Sequence, residues 1–82
     1  MAKKPETILA KSIRTTGESL ILELEGEEIT ILWENCSSKL AKASAEERRN
    51  AELSPGGYGI HWPALDEDLS VGGLVRSQRL SV

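Results

Sequence analysis

From Ser19 to Glu25 the chain alternates with a period of two. Leu20, Leu22 and Leu24 fall on one side of an extended backbone, with Ser19, Ile21, Glu23 and Glu25 on the other. Gly26 and its charged neighbours supply a turn, after which Ile29, Ile31 and Trp33 alternate with Thr30, Leu32 and Glu34. This is the pattern of a β-hairpin with one apolar face. An isolated hairpin is marginal in water, so the other residues of this 82-residue chain must cover that face.

Such a length forms one domain and cannot divide into two that each bury a useful core, so residues 1–82 are read as a single unit with frayed ends at about 1–6 and 77–82. Residues Ile8 to Thr15 are a weaker strand candidate, with Ile8 and Ile13 as its apolar points. Between Ser37 and Leu53 the β-branched residues vanish and Ala, Lys, Glu and Arg take over, the composition of helix. Ser44 followed by Glu47 has the spacing of a capping box and predicts a main helix over Ala45 to Leu53, preceded by a helical turn near Leu40. Ser54-Pro55-Gly56-Gly57 ends it. A third strand follows with Tyr58, Ile60 and Trp62 on one face and Gly59 and His61 on the other, and Pro63 stops it. Asp66, Asp68 or Ser70 then caps a last short helix through Val71 to Val75, weakened by Gly72 and Gly73. The expected fold is α+β: a small antiparallel sheet of three or four strands packed with one main helix and a short C-terminal helix.

The formal net charge of −3 and the scatter of Lys and Arg along the chain argue against a nucleic-acid partner, which requires clustered cations. No stretch approaches the ~20 apolar residues that span a bilayer, and the start, Met-Ala-Lys-Lys-Pro-Glu, lacks the apolar run of a signal peptide. Cys36 is the single cysteine, which excludes an internal disulfide and a zinc site built on paired cysteines. A cytoplasmic location without a membrane partner is the expectation.

Candidate chemistry concentrates in His61 to Asp68, where one imidazole, three carboxylates and a tryptophan lie close together. His61 with Asp66 or Asp68 has the donor types of a divalent-metal site, and His61 near Asp66 those of a general acid and base. Against this, a histidine on the outer face of a strand and a carboxylate trio at a helix start explain the same residues without catalysis. Cys36 would act as a nucleophile only beside His61 or a helix amino end. Trp33, Tyr58 and Trp62 are core candidates by area, while Trp62 with Pro63 and Leu65 is alternatively an exposed anchor for another protein. The partner-binding candidates are Tyr58, His61, Trp62, Pro63, Asp66, Glu67 and Asp68. Glu46, Glu47, Arg48 and Arg49 are read as a solvated helix face. The chain is expected to have no enzymatic activity and no cofactor, and to bind another small protein or a second copy of itself through a sheet edge. The alternative is a small metal-binding protein or metal-dependent enzyme on His61, Asp66 and Asp68.

The segment Leu53 to Leu74, with Ile60-His61-Trp62-Pro63 followed by Asp66-Glu67-Asp68, resembles the small bacterial proteins grouped as Domain of Unknown Function 2442, and Leu40 to Arg48 resembles them as well. The resemblance implies a compact α+β fold, sometimes joined to a DNA-binding domain, and brings no catalytic residue with it. Some relatives are encoded beside another small protein, which implies a regulatory, antitoxin-like or paired role.

Overall fold

The computed structural model describes residues 8–80. Strands β1 (Ser12–Thr15), β2 (Ser19–Leu24) and β3 (Glu27–Leu32) form an antiparallel meander in which Leu22 lies between Ile13 and Ile29, and Leu20 between Thr15 and Ile31. The alternation of the hairpin therefore becomes one apolar face, on which Leu20, Leu22, Leu24 and Ile31 are buried. Gly26 takes φ +82° in the connecting turn, a value that an L side chain resists. At the other end, the Thr16 hydroxyl accepts from the backbone N–H groups of Glu18 and Ser19, closing the β1–β2 loop.

Three short helices follow: α1 (Trp33–Cys36), α2 (Ser38–Ala41) and α3 (Ala45–Arg49). Ser37 is extended and separates the first two, its hydroxyl accepting from Leu40 N–H. The capping box at α3 is formed, with Glu47 N–H donating to Ser44 Oγ and Ser44 N–H donating to Glu47 Oε1. The expected helix to Leu53 stops early, because Asn50 leaves helical space at φ −84°, ψ 54°. Glu52 and Leu53 instead form β4 (Glu52–Leu53), whose backbone pairs with β5 (Gly59–Trp62). The nine-residue segment Ala45 to Leu53, helical by composition, thus splits between two elements, since strand pairing outweighs a small propensity difference. Strand β3 likewise ends at Leu32 rather than Glu34, and Trp33 opens α1.

The second antiparallel sheet has the order β4-β5-β6, with β6 spanning Glu67–Ser70. The described residues accordingly form two three-stranded sheets, where one sheet of three or four strands was expected. They share one apolar cluster: Ile60 and Trp62 from β5 meet Leu20, Leu22 and Ile31 from the first sheet, with Trp33 and Leu40 between them. Gly57 ties the sheets at their margin. Its carbonyl accepts from Ala10 N–H at 2.9 Å, and a Cβ on Gly57, at φ +79°, would lie 2.2 Å from the Ala10 carbonyl oxygen. Only glycine fits there.

The final helix, α4 (Val71–Leu80), is the longest of the described elements. Val71, Leu74 and Val75 recur at i, i+3 and i+4 and are buried, so packing outweighs the cost of Gly72 and Gly73. Ser70 is the cap, its hydroxyl accepting from Gly73 N–H. The helix continues through Ser77, beyond the expected stop at Val75, and Arg79 forms an ion pair with Glu27 at the β2–β3 turn. Of the ends expected to fray, 1–6 and 77–82, residues 77–80 instead continue α4, and the others lie outside the described residues. No described helix is long and apolar enough to cross a membrane.

Candidate functional site

Strand periodicity divides the second sheet into an inner and an outer face. Ile60 and Trp62 point into the core, so Gly59 and His61 point away from it. The antiparallel register then sets Glu52, His61 and Asp68 in one row across β4, β5 and β6. Within this row His61 Nδ1 and Asp68 Oδ1 are 2.8 Å apart. The carboxylate accepts, so the ring carries its proton on Nδ1. Because Gly59 has no side chain, the outer face is hollowed beside the row, and Glu52, Leu53, Pro55, Gly59, His61 and Asp68 line an open hollow of about 330 Å³.

Tyr58 stands next to this hollow and is 59% exposed, the most exposed large apolar side chain among the described residues. The alternation rule had grouped it with Ile60 and Trp62. Its backbone is helical (φ −81°, ψ −33°), which breaks the alternation one residue before β5 begins and turns the ring outward. The ring lies over Gly56, where an added Cβ would come within 2.8 Å of Tyr58 Cε2. Pro55, in the same turn, forms one wall of the hollow.

Trp62 cannot serve as an anchor, because its exposure is 0%. It packs edge to face on Trp33, with centroids 6.4 Å apart and an interplanar angle of 81°, and donates from Nε1 to the Arg48 carbonyl. Trp33 Nε1 donates to the Thr16 carbonyl. The two indoles therefore satisfy their polar ends on loops while filling the junction between the sheets. Arg48, expected on a solvated face, is turned back onto this junction. Its guanidinium lies 5.6 Å from the Trp33 ring centroid and donates to the carbonyls of Leu40 and Ala41, at the C-terminal end of α2. No local pattern in the sequence distinguishes Arg48 from Arg49.

Of the remaining candidates, Pro63 and Asp66 lie in the four-residue turn between β5 and β6, where Asp66 adopts φ +52°. Glu67 pairs with Trp62 in the backbone ladder. Asp66 does not cap α4. The proposed ligand set His61, Asp66 and Asp68 is brought together only as the pair His61–Asp68, and no group of three His, Cys, Asp or Glu side chains among the described residues is arranged to hold a metal. Cys36 lines a different hollow, between α1 and α4, with Asn35, Leu69 and Leu74. Burial pushes its thiol from 9.0 up to about 12, against a smaller opposing pull from Arg48. It is a protonated thiol at neutral pH, the unreactive form.

A family model described as a protein of unknown function, DUF2442, matches residues 10–79, a span that includes both sheets and nearly all of α4. A crystal structure of a protein of unknown function from Rhodospirillum rubrum superposes with a TM-score of 0.76 at 28% identity, covering 87% of this chain and 88% of that one. An uncharacterised protein from Chromobacterium violaceum, solved by NMR in solution, gives a TM-score of 0.69 at 25% identity and covers 90% of this chain and 70% of its own. Among curated proteins there is no match. Both superpositions extend over most of this chain rather than a single hairpin, and the family match over residues 10–79 makes this chain a member of the DUF2442 family of proteins of unknown function.

Proposed function

We propose that the protein is an interaction module that binds another small protein, in a regulatory or antitoxin-like role, through the outer face of its second sheet. The observation that carries this reading is Tyr58, a 59% exposed ring fixed against a glycine turn beside an open hollow. A tyrosine loses few rotamers on binding and offers both an apolar face and a hydroxyl, which is why tyrosines recur as interface anchors. His61, Asp68 and Glu52 supply polar groups to the hollow, whose lining includes the residue after Tyr58, Gly59. Trp62 belongs to the scaffold that holds this face.

The test is affinity capture of the tagged protein from its host, comparing wild type with Tyr58→Ala. Wild type is expected to retain one small protein in a fixed ratio, and the variant to retain at least tenfold less, the range of a hot-spot truncation of about 1.4 kcal/mol or more. Folding should be unaffected, because an exposed ring contributes within about 0.5 kcal/mol. Equal capture by both proteins would remove this face as the binding surface.

A further inference from the structure

We infer that the hollow on the second sheet accepts an arginine side chain from the partner protein. The inference rests on the interaction reading above and names the chemistry of what is bound.

The argument begins with donors and acceptors. His61 Nδ1 faces Asp68 Oδ1 at 2.8 Å and gives its proton to that bond, so in the neutral ring Nε2 presents only a lone pair. Glu52, opposite His61 in the register, is a carboxylate and accepts only. Asp68 keeps further acceptor capacity beyond the bond to His61, since a carboxylate can take about four. Pro55 has no N–H, and Ser54 Oγ accepts from Gly59 N–H at 3.0 Å while keeping its hydroxyl proton to donate. The charged and imidazole groups of the rim therefore offer acceptors. A complementary side chain must bring donors.

Charge points the same way. Glu52 and Asp68 carry negative charge at the hollow, and Arg49, which borders an adjoining hollow with Glu52, forms no ion pair with it among the described residues. The rest of the lining is uncharged: Pro55 and Gly59, and the strand residues Leu53, Ile60 and Leu69, whose side chains belong to the inward-facing row. An apolar stem ending in a planar cation matches that sequence of surfaces, and arginine is the side chain that combines the two, being weakly hydrated and able to engage a carboxylate through two parallel bonds. A lysine brings a more strongly hydrated point charge and should bind less well. An acidic segment is repelled.

The probe is the peptide acetyl-Leu-Arg-Leu-amide, titrated into the ¹⁵N-labelled protein and compared with the same peptide carrying citrulline, which keeps the shape and removes the charge. Saturable amide shifts are expected at Leu53, Gly59, His61 and Asp68, with affinity at least fivefold weaker for citrulline and abolished in the double variant Glu52→Gln, Asp68→Asn. Equal binding of the two peptides, or shifts confined to the first sheet, would overturn the inference. Capture from the host separates it from the reading on which it rests. Loss of the partner by both the double variant and Tyr58→Ala is the expected result. Loss by Tyr58→Ala alone would overturn the arginine inference and leave the interaction face standing, whereas retention by both would overturn the two together. Unchanged tryptophan emission of the double variant confirms that it is folded.

Discussion

Replacing Trp62 with alanine is expected to unfold a large fraction of the protein at 37 °C. The side chain is fully buried, contacts Trp33 edge to face, and donates its indole N–H to the Arg48 carbonyl. Removing a buried tryptophan costs about 3–5 kcal/mol, and the abandoned carbonyl adds about 1 kcal/mol. A domain of this size has a total stability of roughly 4–12 kcal/mol, so most of it is at stake. Trp62→Phe keeps a ring in the cavity and loses the donor, and should cost less than half as much. Urea titration followed by circular dichroism measures both. A Trp62→Ala loss below about 1 kcal/mol would show that the indole does not join the two sheets.

The second large effect concerns Cys36. Burial pushes its thiol up to about 12 from 9.0, so at pH 8 the thiolate fraction falls from about one in ten to about one in ten thousand. Iodoacetamide should therefore alkylate the native protein at least a hundredfold more slowly than the urea-unfolded chain. The linkage has a definite sign. Because the folded state holds the proton more tightly, its contribution to stability is fully present below pH 9 and is lost as pH rises from 9 toward 12. Equal alkylation rates in the two states would mean that the thiol is open to solvent and ionises normally.

Some of this was legible in the sequence because the physics behind it is local. The leucine alternation in β2 and the Ser44–Glu47 capping box each depend on residues within a turn or two of one another, and both are formed; the helix expected to run to Leu53 ends instead at Arg49. What escaped depends on distant partners. Glu52 and Leu53 carry helical composition and become strand because β5 is available to pair with them. The α4 helix survives two glycines because Val71, Leu74 and Val75 meet the core, and Arg79 reaches Glu27 from the other end of the chain. The candidate site divides in the same way. His61 and Asp68 were singled out by type and are brought together by register, whereas Asp66 is spent on a turn and Trp62 on the core. Tyr58 was identified as a candidate, but its outward direction follows from one helical φ/ψ pair that its residue type does not encode. Glu52 joins the row only because the expected helix ends early.

A division of labour between two faces of one small sheet is the central proposal: the inner face, with Ile60 and Trp62, joins the core that both sheets share, and the outer face, with Glu52, His61 and Asp68 beside Tyr58, is proposed to meet a partner. Hydrogen-exchange footprinting of the captured complex against the free protein tests it most directly. Added protection is predicted across Glu52 to His61 and Glu67 to Ser70, with Ser12 to Leu32 unchanged. Protection confined to the edges of β1 or β3, with the second sheet exchanging as in the free protein, would contradict it.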